Sequence, residues 1–314
     1  LKNLFTTPTF LATSWSFWSL FDFSPPKPHY YIMPENKSYN LQSPKSYKVH
    51  VLNGFKDNYT YFIQDFESGH NILIDPADHS SITNQLLNMN IRVTDPDFIE
   101  DTIVLCTHKH SDHSGGNDFF QNLGYQVYGG EIDRTPGCTV LIKDGDCIRH
   151  ADFLIKAKHT PCHTSGHICY EITLDPIRNS KEISLFTGDT LFSAGCGKFF
   201  EGTESQMFKN MTWFKEYPDD TFVYCGHEYT LDNLLFASKV RQNNIPIQNA
   251  IEWCRKNKSI TTQPSSIGIE KQTNIFLQAK TKEILGYIRL MKDQRKPEPL
   301  PEDSFEAFEN NENN

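Results

Sequence analysis

The sequence predicts an α/β protein: mixed β-sheet covered by helices, with a smaller helical domain at the C-terminal end. Three observations predict it. Short apolar, β-branched runs alternate with helical periodicity from residue 47 to residue 228. Beyond that point the strand-like runs stop, and apolar residues recur at helical spacing only. Ligand-type residues repeatedly follow the apolar runs, at the strand ends where α/β sheets carry their chemistry.

Residues 1–46 read as a disordered or targeting extension. The chain opens on Leu1 rather than Met, which suggests a processed or incomplete start. The stretch from Trp15 to Phe23 is aromatic and Ser-rich, and Pro25-Pro26-Lys27-Pro28 follows. Secretion is disfavoured because Thr and Ser interrupt the apolar run and no clear small-residue cleavage site follows it. A mitochondrial transit peptide is disfavoured because only Lys2 and Lys27 are basic before Met33.

Regular patterning begins at Tyr47. Strands are predicted at 48–52 and 59–63, joined through a hairpin-type connection at Gly54-Phe55-Lys56-Asp57-Asn58. A third strand is predicted over 71–76, a helix over 79–90 from Ile82, Leu86 and Leu87, and a buried strand over 102–106. After Val127-Tyr128, short strands at 152–156, 168–172 and 183–186 point to a second sheet. A helix over 204–217 presents Met207, Met211 and Phe214 on one face for core packing. A strand at 221–224 closes a first domain, 47–228. Helical patterns at roughly 230–242, 247–258 and 275–293 make up a second domain, 229–296. Residues 297–314 read as an acidic disordered tail.

The 314 residues suffice for one large domain or two modest ones. The net charge is −9, of which the six acids after Lys296 supply −6, leaving −3 for the rest. No global basic field exists for nucleic acid, and an anionic substrate requires a local basic cluster. None of the eight cysteines forms a Cys-x-x-Cys pair. They read as free thiols of a reducing, cytoplasmic protein, mitochondrial only if the leading segment is a transit peptide. A monomer without membrane partners is expected.

The densest chemistry lies in Thr107-His108-Lys109-His110-Ser111-Asp112-His113, directly after the apolar run 102–106. His108 and His110, two apart in an extended segment, face one side. Asp112 and His113 follow as the chain turns. Three later strand-end loops add His163, Asp189 and His227. Five histidines and two aspartates on four loops form the inventory of a two-metal site. His108, His110 and His163 suit one metal, Asp112, His113 and His227 the other, and Asp189 suits a bridge. Imidazole and carboxylate fit zinc first, with iron or manganese as alternatives. His159 reads as surface, and His167 as a structural hydrogen-bonder.

The run Thr-His-x-His-x-Asp-His with the later His, Asp and His resembles the metallo-β-lactamase superfamily. Thr160-Pro-Cys-His-Thr-Ser-Gly-His, Phe186-Thr-Gly-Asp-Thr-Leu-Phe, Gly195-Cys-Gly-Lys-Phe-Phe-Glu-Gly and Tyr224-Cys-Gly-His-Glu-Tyr-Thr are similar to glyoxalase II, the hydroxyacylglutathione hydrolases. The resemblance spans about 47–296. It implies an αββα sandwich, the ligand set above, and hydrolysis of S-D-lactoylglutathione to D-lactate and glutathione, the second step of methylglyoxal detoxification. Asp112 and Asp189 are the expected catalytic residues, holding a metal-bridged hydroxide against the thioester. The thiolate leaves without a strong acid, and Cys196 reads as a space-filler because no base stands beside it.

The resemblance also implies a grip on glutathione. Arg289 and Lys292 share a helix face and resemble a clamp for the glycine carboxylate. Lys198 and Tyr229 resemble further contacts, with Phe199, Phe200 and His227 completing the set. Phe200 stands where some members have Tyr, and Leu290 and Met291 replace charged residues. The competing reading is a glutathione persulfide dioxygenase of the same superfamily, which needs only three protein ligands and one iron.

Overall fold

The computed structural model describes residues 44–258 and 262–308. Most of the expected leading extension, residues 1–43, lies outside the described residues, as do 309–314. Two six-stranded sheets form the centre. The first contains β1 (Lys48–Gly54), β2 (Asn58–Gln64), β3 (Asn71–Ile74), β4 (Thr102–Leu105), β5 (Gln126–Gly130) and β6 (Val140–Ile142), in that order. The second contains β7 (Cys147–His150), β8 (Phe153–His159), β9 (Ile168–Leu174), β10 (Ser184–Gly188), β13 (Phe222–Cys225) and β14 (Ser265–Ser266). Between β10 and β13 a small hairpin, β11 (Leu191–Phe192) and β12 (Gly195–Cys196), stands apart.

Strand alternation decides the layers. Tyr61, Ile63, Ile72, Ile74, Ile103 and Leu105 face inward and meet Phe153, Ile155, Tyr170, Ile172, Phe186 and Tyr224 of the second sheet. The residues between them, Phe62, Leu73 and Val104, face outward and pack on Ile82 and Leu86 of α1 (His79–Asn88) and Phe120 of α4 (Asn117–Leu123). Between α1 and α4 lie the short α2 (Pro96–Glu100) and α3 (Ser111–Ser114). On the second sheet, Cys169, Leu185 and Val223 face outward, against α5 (Glu204–Lys215) and the C-terminal helices. A period-two strand buried on both faces reads as a continuous apolar run, as β4 does. The result is an αββα sandwich.

The C-terminal helices are α6 (Thr230–Val240), α7 (Ile245–Lys256), α8 (Ile267–Thr273), α9 (Ile275–Gln278) and α10 (Lys282–Gln294). The third predicted helix, 275–293, is interrupted. Asn274 caps α9, and the chain leaves the helix at Ala279, which pairs as an isolated β-bridge with Phe305. Thr281 then caps α10 through Ile284 N–H. Apolar periodicity runs through this break because both pieces face the same core, so the periodicity alone conceals the new cap.

The acidic tail also departs from expectation over 297–308. Phe305 is 2% exposed and joins the helical core. Leu300 N–H donates to Val240 O, Arg241 pairs with Glu302, and Lys215 pairs with Glu306. Its acids meet basic partners on the helices, so one buried aromatic and three tethers dock a segment whose composition alone resembles disorder.

Candidate metal centre

β3, β4 and β5 run parallel in one sheet, and β10 and β13 run parallel in the other. Their carboxyl ends open at the same edge of the sandwich. Thr107–His113 leaves β4 there, Asp189 follows β10, and His227 follows β13; His163 sits on the loop between β8 and β9. Glycine is required at two of these turns. Gly188 has φ +46°, and a Cβ there would lie 2.7 Å from Thr107 Oγ1. A Cβ on Gly226 would lie 2.4 Å from Asp189 Oδ1.

The predicted ligands converge as two clusters. His110 Nδ1 lies 3.0 Å from His108 Nε2 and 3.0 Å from His163 Nε2. His113 Nε2 lies 3.2 Å from His227 Nε2, and Asp112 Oδ2 lies 3.7 and 3.4 Å from those two atoms. Asp189 stands between the clusters. Its Oδ2 is 3.3 Å from His163 Nε2 and 3.4 Å from His227 Nε2, and its Oδ1 is 3.3 Å from His113 Nε2. Within each cluster the donor atoms lie within 4.8 Å of one another.

The donor set fits divalent cations. Asp189 Oδ1 is buried without a hydrogen-bond partner among the described residues. Burial opposes charge on His113 and His227, yet the carboxylates around them override it: Asp189 and Asp75 raise His113, and Asp112 and Asp189 raise His227 to about 10. The carboxylates of the second cluster thus draw a proton, or a metal cation in its place, to these two rings. In the first, burial and neighbouring imidazoles hold His108 and His163 below the ordinary value, in the neutral form a metal needs.

Supporting partners orient the rings. Asp75 accepts from Thr107 N–H and Oγ1 and lies 2.8 Å from His113 Nδ1. His108 Nδ1 meets Thr107 Oγ1 at 3.0 Å, and His163 Nδ1 donates to Lys198 O at 3.1 Å. His227 Nδ1 donates to Asp57 Oδ1 at 3.0 Å. His167, fully buried, accepts from Asp189 N–H through Nε2, so it is the structural hydrogen-bonder expected of it. His159 is half-buried and bonds Ser165 O. Asp57 and Asp75 escape sequence reasoning because an aspartate in a turn or at a strand end has an ordinary capping reading; Asp78, which caps α1, shows that reading realised.

Known proteins show where this arrangement belongs. Residues 53–227 match the family model described as metallo-beta-lactamase superfamily, and residues 228–309 match hydroxyacylglutathione hydrolase C-terminus. The chain is 40% identical over 246 residues to the cytoplasmic hydroxyacylglutathione hydrolase of Arabidopsis thaliana, covering 76% of this chain and 90% of that protein. The chain belongs to the hydroxyacylglutathione hydrolase family. It is also 37% identical over 251 residues to the hydroxyacylglutathione hydrolase of Pelagibacter ubique, covering 78% of this chain and 99% of that one. Among solved structures, a metallo-beta-lactamase from Staphylococcus aureus aligns with a TM-score of 0.55 at 22% identity, over 82% of this chain and 68% of that one. ETHE1 from Myxococcus xanthus aligns with a TM-score of 0.55 at 23% identity, over 80% and 93%. Both share the fold.

Of the residues singled out by family resemblance, Phe200 and Tyr229 stand against the cluster histidines. Tyr229 stacks on His227, with ring centroids 4.8 Å apart and planes at 3°. Phe200 is exposed and sets its ring edge-on to His110 and His163, with Lys198 Nζ 5.1 Å above it. Phe199 is half-buried against the helical core. Arg289 is 7% exposed and donates to Cys196 O, two residues before Lys198, and to Asp293. Lys292 donates to Asn233 Oδ1, one turn after Tyr229. These two cations lie on the buried side of α10, not on a solvated face, and burial, then Arg289, lower Lys292 to about 8. Cys196 is buried and burial raises its thiol to about 11, which removes it as a nucleophile. Among the described residues no helix is long and apolar enough to cross a membrane.

Proposed function

We propose that the chain hydrolyses S-D-lactoylglutathione and similar 2-hydroxyacylglutathiones, adding water across the thioester to give D-lactate and glutathione. Thioester hydrolysis of this class follows from family membership over most of the chain. The observation that carries the site assignment is the pair of three-ligand clusters sharing Asp189. His108, His110 and His163 would hold one divalent ion and Asp112, His113 and His227 a second, with Asp189 placed to serve both. Zinc suits the donors best, with iron and manganese next. Bound there, the ions supply Lewis acidity that activates water near neutral pH and polarises the thioester carbonyl.

The chain's own residues do the rest. The Asp112 side chain is 43% exposed, so its carboxylate can accept a hydrogen bond from the attacking water and aim it. Phe192, Phe200 and Tyr229 wall the centre with aromatic rings, which limits competing solvent. Lys198, Tyr229, Arg289 and Lys292 hold the peptide part, the two helix cations receiving the glycine carboxylate, with Phe199, Phe200 and His227 around the thioester. The departing thiolate needs no strong acid, since a thiol loses its proton near pH 8.5. In this reading residues 47–228 carry the chemistry and 229–296 the grip, and the protein acts as a cytoplasmic monomer.

Metal analysis combined with turnover tests the proposal. Two equivalents of metal and cleavage of lactoylglutathione at its thioester are expected. Oxygen consumption with glutathione persulfide, without thioester cleavage, would establish the dioxygenase reading instead, which has less support among the relatives.

A further inference from the structure

The two clusters share the loop after β4 and Asp189, but the second has a further support of its own. The turn joining β1 to β2 reaches across to the second cluster and touches two of its ligands. Asp57 Oδ1 accepts from His227 Nδ1 at 3.0 Å. Asn58 Nδ2 donates to Asp112 Oδ2 at 3.1 Å, the oxygen that faces His113 and His227, and to Asp112 O at 3.0 Å. Backbone ties fix the approach: Tyr59 N–H donates to Gly226 O and Glu228 N–H to Asp57 O, both at 2.9 Å. The other end of the turn is anchored, with Phe55 N–H donating to Asp78 Oδ2.

Among the described residues no side-chain carboxylate or amide meets His108 Nδ1 or His163 Nδ1 directly. His108 Nδ1 meets the hydroxyl of its own neighbour, and His163 Nδ1 a backbone carbonyl. We infer that Asp57 and Asn58 are positioning residues for the second metal alone, setting its affinity while leaving the first unaffected. This rests on the two-metal assignment above. A carboxylate on Nδ1–H fixes the tautomer, aims Nε2 and raises its basicity, and loss of such a partner typically weakens a metal about 10–100-fold. Asp112 is half-exposed, so without the Asn58 amide its carboxylate must be ordered when the metal arrives.

The test strips the full-length protein with a chelator and titrates it with Zn²⁺ alone, against a competing chelator. The wild type takes up two equivalents. Asp57→Ala and Asn58→Ala retain one at wild-type affinity and bind the other about 10–100-fold more weakly. Asp57→Asn keeps an acceptor for His227 Nδ1–H and recovers part of the loss, and it carries the test if Asp57→Ala does not fold. Two equivalents at wild-type affinity in both alanine variants would overturn the inference. So would equal weakening of both equivalents, which means general damage. A wild type that takes up only one equivalent would overturn the two-metal assignment itself.

Discussion

Replacing Glu270 with Gln tests how the C-terminal helices hold the segment leading to Lys198. Glu270 is 1% exposed on α8. Its Oε2 accepts from Ala194 N–H at 2.8 Å and Asn274 Nδ2 at 2.9 Å, and its Oε1 lies 2.5 Å from the Ser265 hydroxyl. Ala194 is at the tip of the β11–β12 hairpin, and Asn274 also donates to Phe192 O and Gly195 O. Burial raises the Glu270 carboxyl from 4.5 to about 7, against these neutral hydrogen bonds. A carboxyl raised in the folded state binds more protons there than in the unfolded chain. Stability therefore falls as pH rises from about 4.5 to about 7, and the loss is complete above that. Between about pH 5 and pH 8 the loss is on the order of 2–3 kcal/mol. Gln keeps an acceptor for Ala194 and Asn274, offers Ser265 a donor, and cannot ionise. Urea unfolding of the metal-free wild type and Glu270→Gln at both pH values measures the effect. The variant should gain on the order of 2–3 kcal/mol on the wild type between the two. A stability difference that is the same at both pH values would refute the reasoning.

Asp189→Ala should lose metal and turnover together, and wild-type metal content in that variant would remove its bridging role. Because Lys292 sits near 8, kcat/KM for lactoylglutathione should fall as pH rises through about 8 while kcat stays level, since the free-enzyme cation is being lost. Lys292→Arg keeps its charge and should move that fall to higher pH; an identical profile would contradict the clamp. Phe305→Ala should cost about 3–5 kcal/mol in chemical unfolding, because it empties a buried aromatic position, and a change near zero would contradict docking of the tail.

Much of the candidate site was legible because its signals are local. A four-residue apolar strand followed within eight residues by three histidines and an aspartate has few other readings. Sorting those ligands into two clusters needed only the later strand ends. The supports were not legible. Asp57, Asn58 and Asp75 are short polar residues in turns and at strand ends, where the same types serve as caps. Asn233 lies in the first turn of α6, yet it is buried between Lys292 and Ser193 O.

The same division holds for the fold. Period-two and helical patterning determined the α/β class and the ligand loops, because those depend on the chemistry of near neighbours along the chain. Only the tertiary structure decided that Arg289 and Lys292 face inward, that the helix at 275–293 breaks at Ala279, and that residues 297–308 dock. Each depends on a partner far along the chain: Cys196 and Asn233 for the cations, Phe305 for the break, Val240 and Arg241 for the tail. Burial and charge at those positions are properties of the assembled surfaces, and chain spacing carries no trace of them.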